Sequence, residues 1–544
     1  MTNPSRYQVF IITVLLLSVA PFLGLASGSH SFLGFDDRVN ILENQHIAAL
    51  TWDNIVWMFT GSKLGVYEPL SWLIKATIVE VFGLSPRAFQ VTTLVLHFAN
   101  VVLLWLVAGA LLRQLLPTID QQKIRVIAAL MALAYGVHPL RVEVVAWVSG
   151  QSYAVGGFFC FCCLYSYIKY CERQKRHQPG YAWLYASAVF YLASIFGKSA
   201  MVMLPAWLLL IDWAVYRRRQ YWRIVLEKAP FAIIAIATIV MVALVNDKAM
   251  GSNHLVLSWP EKFGRALLAI YIYPLQTLWP PNLLPAYAVP RWGISIWDKV
   301  PLLAMIGLIS IIVAAIRHFA QNPWPLVILL AYGVFLLPVL GFVQHGNPIL
   351  VADRYTYAAM VPFYIAAASV YLKAGFDGQS QRLFGIAFAV YLGLLAWLTT
   401  TQVSYWRSDK TLWSHALELQ PENAFAANNL GFRYYSEGDY ETARKYLEWA
   451  YLSEPHNEFP LLNLGVTYYE LDRCDLAIEH YQRAAQTHHA NSDGLFNNMG
   501  NCFVKLGRYQ ESLSHFERAL EINPKHEKAR NSLHRITAYL NGKK

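Results

Sequence analysis

Two adjacent carboxylates, Asp36 and Asp37, stand in the stretch FLGFDDRVNILEN, directly after a long apolar run. An acid placed where a chain leaves a bilayer can take a proton from an incoming hydroxyl. Other ionisable residues lie within or against apolar runs, where they are costly to keep and mark functional positions. These are Glu68 in GVYEPLSWL, His97, and His138, Arg141 and Glu143 in GVHPLRVEVVAWVSG. Lys198 in FGKSAMVMLP, Arg265, and Asp353, Arg354 and Tyr355 in VADRYTYAAM complete the set. Cations in such a group suit a phosphate, the arginines bidentately. Each residue also has a plain structural role open to it. His138–Pro139 can end a helix, Lys198 can snorkel to the interface, Arg354 can pair with an acid, and Glu68 can be a solvated loop residue. Most of them, with His97 the deeper outlier, converge on one membrane face, and that convergence, rather than any single residue, points to chemistry.

The elements that must position these residues are membrane helices. The chain of 544 residues is 56% hydrophobic and only 14% charged, against about 25% charged in soluble domains. Residues 1–403 are apolar with short charged breaks, whereas 404–544 are mixed and polar. A spanning helix takes about 20 apolar residues. That length fits runs near 8–27, 88–112, 125–147, 150–170, 181–197, 199–216, 229–246, 300–317, 324–343, 356–373 and 383–403. The first run also fits a signal peptide, but with a single basic residue in front it reads better as an uncleaved helix. Residues 263–290 are apolar yet rich in proline and aromatics, which argues for a re-entrant or interfacial segment within 257–299. With a cytoplasmic N-terminus, the loops carrying Arg113/Lys123/Arg125, Arg173/Lys175/Arg176, Arg217/Arg218/Arg219/Arg223 and Arg317 fall inside, as the positive-inside rule asks. About 11 spans result, and the first outer loop, 28–87, and the C-terminal domain share the outer face. The net charge of +10 is accounted for by these loops and does not call for nucleic acid. No metal-ligand spacing is present. Cys160, Cys162, Cys163 and Cys171 read as buried thiols on one helix, and Cys474 and Cys502 can form a disulfide only in an oxidising compartment.

The polar end is internally repetitive. NNLGFRYYSEGDYETARKYLEWAYLSEP recurs as LNLGVTYYELDRCDLAIEHYQRAAQTHH and NNMGNCFVKLGRYQESLSHFERALEINP. Gly431, Gly465 and Gly500 are each followed at fixed offsets by an aromatic (Tyr434, Tyr468, Phe503), a bulky residue (Leu447, Tyr481, Phe516) and an alanine (Ala450, Ala484, Ala519). Pro455 and Pro524 close two units. These offsets resemble the tetratricopeptide repeat, in which small residues let paired helices approach. The expected organisation is a partial repeat at 405–421, full repeats at about 424–457, 458–491 and 493–526, and a cap at 527–544. Asn429, Asn463 and Asn498 stand two residues before the glycines, and a column of carboxamides offers donors and acceptors to a peptide backbone.

Taken together, GFDDRVNILEN, YEPLSWL, HPLRVEVVAWVSG, GKSAMVMLP, YPLQTLWPPNLLPAY and ADRYTY, followed by the repeats, resemble the bacterial membrane proteins related to the TMTC O-mannosyltransferases. The resemblance covers nearly the whole chain. It implies an all-α architecture: a polytopic GT-C-type membrane domain joined to an α-solenoid of repeats. It implies transfer of a sugar, mannose among the candidates, from a polyprenyl-phosphate donor to a protein Ser or Thr, with inversion and no cofactor. It makes Asp36 the first choice for the base and Asp37 the second. His138, Arg141, Glu143, Lys198, Arg265, Arg354, Tyr355 and Glu68 would line the donor site, with an acceptor peptide in the repeat groove. The implied location is the bacterial inner membrane, repeats on the periplasmic face. The chain departs from the family at Glu68, where an Arg or His is usual, at Gln151–Ser152, where relatives carry a charged cluster, and at Ser199, where the eukaryotic members have Glu. Two other readings stay open: a membrane scaffold recruiting partners through its repeats, and a GT-C enzyme acting on a polysaccharide or lipid.

Overall fold

The computed structural model describes residues 4–34, 36–249, 257–290, 293–342, 349–454, 458–486 and 492–542. Among them the regular elements are helices, apart from one isolated bridge between Lys63 and Val66. Each of the eleven apolar runs is helical. Five form helices long and apolar enough to cross a bilayer: Pro86–Leu115, Gln151–Lys175, Tyr221–Leu244, Lys299–Arg317 and Gly378–Tyr405. Three are bent pairs: Tyr7–Leu17 with Ala20–Ser27, Gln121–Gly136 with Pro139–Ala146, and Asp353–Ala359 with Val361–Lys373. The others, Tyr181–Gly197, Ser199–Val215 and Trp324–Val339, are shorter.

Local chemistry sets the ends. Ser85 accepts from the Ala88 amide and Pro86 occupies the first helical position of Pro86–Leu115, where its missing N–H costs nothing. Asp120 and Asp377 cap Gln121–Gly136 and Gly378–Tyr405 in the same way. Ile233, Ile236, Ile239 and Val240 are exposed on Tyr221–Leu244, as are Leu303, Ile306 and Ile309 on Lys299–Arg317. Bare apolar faces of this extent are suited to lipid. The proline-rich stretch 263–290 is a helix, Trp259–Leu278, started by a Ser258/Glu261 capping box and followed by irregular chain to Pro290. Residues 28–87, expected as the first outer loop, hold the helices Trp52–Thr60 and Pro69–Phe82.

The chain divides into two units. One ends at Ser408 and the other begins at Asp409, with Ala286–Ala288 belonging to the second. This places the boundary slightly beyond residue 403. Ala288 N–H donates to Gln420 Oε1 at 3.0 Å, and Asn423 Nδ2 donates to Ala286 O at 2.9 Å.

The second unit begins with Asp409–Leu419 and continues as hairpins: Ala424–Ser436 with Tyr440–Ser453, Glu458–Glu470 with Cys474–Ala484, Asp493–Lys505 with Tyr509–Ile522, then Glu527–Gly542. Within each hairpin the glycine faces the bulky residue of its partner helix. A Cβ on Gly431 would lie 2.7 Å from Leu447 Cγ, one on Gly500 would lie 2.6 Å from Phe516 Cε1, and one on Gly465 would run into the Tyr481 ring. Cys474 and Cys502 are buried free thiols in the shared core of these hairpins. Pro455 lies outside the described residues.

Candidate functional site

The site is built where helix Gln151–Lys175 crosses Tyr181–Gly197. Gly156 and Gly197 make the approach: a Cβ on Gly197 would lie 2.8 Å from Gly156 N, and one on Gly156 would lie 2.9 Å from Lys198 Cβ. Small residues allow such close helix contact in a membrane. Ser194 Oγ donates to Gly156 O at 2.7 Å, and Ser71 Oγ, on Pro69–Phe82, donates to Gly197 O at 2.7 Å. Helix Pro69–Phe82, the start of Gln151–Lys175 and Lys198 are thereby locked together.

Glu68 sits at this junction and is buried, so it is not the solvated loop residue that its surroundings in the sequence allow. Its Oε1 accepts from Lys75 Nζ at 3.2 Å and from Ser152 Oγ at 2.8 Å, and its Oε2 accepts from Lys198 Nζ at 2.9 Å. Burial pushes its carboxyl up, but Lys198, Lys75 and the hydrogen bonds outweigh it and hold the group down at about 2. Lys198 therefore pairs with an acid rather than snorkelling outward, and its ammonium lies 5.0 Å from the Tyr153 ring centroid.

The two adjacent acids divide sharply. Asp37 is fully buried. Its Oδ1 accepts from Ser149 N–H at 2.8 Å and Ser149 Oγ at 2.6 Å, and its Oδ2 accepts from Leu33 N–H at 3.0 Å. Burial raises its carboxyl to about 6 against the pull of these bonds, with Asp36 adding to the rise. Asp36 is only partly buried and has no hydrogen-bond partner among the described residues. Burial raises its pKa as well, opposed by the charges of Arg354, Lys198 and Lys75 and reinforced by Glu68.

Glu143 accepts from Arg354 N–H at 2.6 Å and also holds the Arg354 guanidinium. That guanidinium lies 5.6 Å from the Trp147 ring centroid and 5.0 Å from that of Tyr355. Tyr355 in turn stands 6.2 Å from Tyr153, which closes the ring of residues back to Lys198. Arg141 is fully buried, donates to Thr356 Oγ1 at 3.0 Å and lies 4.6 Å from the Tyr135 ring centroid. Its Nε and Nη1 have no partner among the described residues.

Other sequence-expected residues are engaged elsewhere. His138 faces Thr277 O through Nε2 at 2.9 Å and accepts from Leu140 N–H through Nδ1 at 3.2 Å. Both ring nitrogens are thus committed to holding the helix break. His97 lies inside the bundle between Tyr357 Oη, at 3.0 Å, and Gly136 O, at 3.1 Å. Arg265 donates to Leu350 O at 3.3 Å, and Asp353 is buried. In the repeats, Asn429 Nδ2 donates to Phe425 O at 2.7 Å and Asn463 Nδ2 to Asn428 Oδ1 at 2.9 Å. Asn498 Oδ1 accepts from Asn497 Nδ2 at 3.3 Å. These carboxamides are half-buried: Asn429 bonds within its own helix, Asn463 reaches the helix of the preceding repeat, and Asn498 accepts from its neighbour.

Sequence reasoning missed Lys75, Ser149 and Tyr153, and marked Ser152 only as a departure from the family pattern. Lys75 had a signal, a lone cation in the apolar run PLSWLIKATI. Ser149 and Tyr153 had none, since hydroxyls beside an apolar helix are common.

Two tetratricopeptide-repeat profiles match the chain, over residues 428–494 and 495–526. The C-terminal unit is made of tetratricopeptide repeats. Solved structures similar to it include the first such domain of Spaghetti (RPAP3) bound to an HSP90 peptide, at 22% identity, covering 22% of this chain and 94% of that one with a TM-score of 0.21. The Yersinia enterocolitica type III secretion chaperone SycD, in complex with a YopD peptide, is 21% identical over 21% of this chain and 91% of that one, with a TM-score of 0.20. YrrB, described as having an unusual peptide-binding site, is 26% identical over 29% of this chain and 76% of that one, with a TM-score of 0.23. No curated protein matches the chain.

Proposed function

We propose that the chain is a membrane glycosyltransferase of GT-C type that moves a sugar from a polyprenyl-phosphate donor to a hydroxyl acceptor on the outer membrane face. The observation that carries this reading is Asp36: a partly exposed carboxylate without a hydrogen-bond partner among the described residues, with its pKa raised, facing Arg354, Lys198 and Lys75. A base is most effective when its pKa lies near the working pH. Asp37 is spent on Ser149 and Leu33 and serves as the strut that holds Asp36 in place.

In this reading Asp36 takes the proton of the acceptor hydroxyl, and that oxygen forms its bond to the anomeric carbon. The bond from that carbon to the donor phosphate breaks, and the polyprenyl phosphate leaves with the electron pair. Arg354 and Lys198 meet the growing phosphate charge. Arg141, a buried cation with two unpartnered N–H groups, is a third contact for an anion, since such groups are rarely left unsatisfied without reason. The repeat unit would hold an extended acceptor peptide, which makes a protein Ser or Thr the favoured acceptor. The test is transfer of labelled sugar from polyprenyl-phosphate mannose to a Ser/Thr peptide by the purified full chain. Asp36→Asn should abolish transfer, and full activity in that variant would end the proposal.

A further inference from the structure

A second polar site lies at the other end of the first unit. Helix Gln151–Lys175 starts beside Asp37 and Glu68. From Gln151 to Lys169 it rises about 27 Å at 1.5 Å per residue, close to the hydrocarbon thickness of a bilayer. At that far end Trp105, Gly109 and Arg113 of Pro86–Leu115, Arg125 of Gln121–Gly136, and Tyr165 and Lys169 line an open pocket of about 280 Å³.

The charges around this pocket do not balance. Lys169 is paired with Glu172 at 2.7 Å and lies 5.3 Å from the Tyr165 ring centroid. The guanidiniums of Arg113 and Arg125 have no hydrogen bond or ion pair among the described residues. This contrasts with the cations a few turns away: Arg218 and Lys228 are both bound to Asp212, at 3.0 and 2.7 Å, and Arg218 also to Glu227 at 2.7 Å.

The shape of the pocket agrees. Trp105 Nε1 donates to Arg125 O at 3.1 Å, which fixes the backbone that carries Arg125. An indole at this depth is typical of the headgroup region. Gly109 lies on the wall, and a Cβ there would meet only Arg113 Nη1 at 3.6 Å and Ala128 Cβ at 3.9 Å, ordinary contacts. A helical glycine is less favourable than alanine. Close packing does not demand it here; what it preserves is room in the pocket.

We infer that this pocket binds the phosphate of an anionic membrane-lipid headgroup, gripped by Arg113 and Arg125 with Trp105 beside it. Paired guanidiniums present the forked donors that phosphate oxygens accept, and basic pockets between membrane helices are suited to lipid headgroups. The inference is independent of the glycosyltransferase reading, because it uses none of that site's residues.

The test is thermal unfolding and native mass spectrometry of the full chain in uncharged detergent, with phosphatidylglycerol, phosphatidylcholine or inorganic phosphate added. Phosphatidylglycerol should raise the melting temperature and remain bound, and phosphatidylcholine should do neither. In the double variant Arg113→Gln, Arg125→Gln, retention of phosphatidylglycerol should fall at least tenfold, with the melting temperature in phosphatidylcholine unchanged. Gly109→Leu, which fills the pocket while keeping both arginines, should weaken retention in the same direction. If inorganic phosphate alone reproduces the whole shift and the double variant loses it, the site takes free phosphate and the lipid assignment falls. Equal retention of phosphatidylglycerol by wild type and both variants overturns the site itself.

Discussion

Glu68→Gln is the substitution on which the assembly of the site can be measured. Lys75 is wholly buried 3.2 Å from Oε1, and Lys198 stands 2.9 Å from Oε2. Glutamine keeps one acceptor oxygen and turns an N–H toward the other ammonium, so a buried cation loses its partner. Breaking a buried pair in this way costs about 3–5 kcal/mol. The depression of Glu68 from 4.5 to about 2 gives a second route. At 1.36 kcal/mol per unit it amounts to a contribution on the order of 3 kcal/mol. The sign follows from the depressed folded-state value. The contribution is fully present above pH 4.5 and is lost as pH falls toward 2. Equilibrium unfolding of the purified chain in mixed micelles should therefore show Glu68→Gln destabilised by about 3 kcal/mol at pH 7, with the gap narrowing at pH 3. Adding Lys75→Met should recover part of the loss, because the two residues share one interaction. A variant within about 0.5 kcal/mol of wild type at pH 7, the range of ordinary surface changes, would refute the placement of Glu68 between the two lysines.

At pH 4, Asp37→Asn should destabilise the chain by about 1–3 kcal/mol, the cost of an unsatisfied buried group, whereas Asp36→Asn, which loses no hydrogen bond, should leave the unfolding midpoint near wild type. Because burial raises Asp37 from 3.8 to about 6, charging it weakens the fold as pH rises through that window. Wild type should lose stability relative to Asp37→Asn between pH 4 and 6, read from parallel unfolding curves. Asp212→Asn should cost about 3–5 kcal/mol, since Asp212 accepts from Tyr167 at 2.6 Å, Lys228 at 2.7 Å and Arg218 at 3.0 Å. Gly465→Ala should cost about 1–3 kcal/mol by overpacking against Tyr481, seen as faster proteolysis within the repeats.

Much of the architecture was legible because it rests on patterns that sequence carries directly. Long apolar runs dictate helices, and the glycine-to-bulky offset in the repeats is a packing contact repeated three times. The network around Asp212 was harder to read. Arg218 looked like one of a run of loop arginines, yet it is partly buried and paired with Asp212 and Glu227, a pairing set by the way three helices meet. In the candidate site the acidic pair stood out by its position after the first helix. Which acid is saturated and which is not depends on Ser149, more than a hundred residues away and without chemical distinction of its own. The departures at Glu68 and Gln151–Ser152 looked like gaps in a donor site. In the fold they form one unit: Ser152 bonds Glu68, Gln151 Nε2 bonds Thr93 Oγ1 at 2.9 Å, and the lysines balance the added negative charge.

The central claim is that Asp36 is the proton acceptor and Asp37 its support. Sugar transfer from labelled polyprenyl-phosphate mannose to a Ser/Thr peptide, measured on wild type, Asp36→Asn and Asp37→Asn at matched folded concentration, tests it most directly. At least a hundredfold loss is expected for Asp36→Asn, as for removal of a general base, and a smaller loss for Asp37→Asn, in which Asp36 is intact but less firmly held. Transfer undiminished in Asp36→Asn, or abolished in a fully folded Asp37→Asn with Asp36 intact, would contradict it.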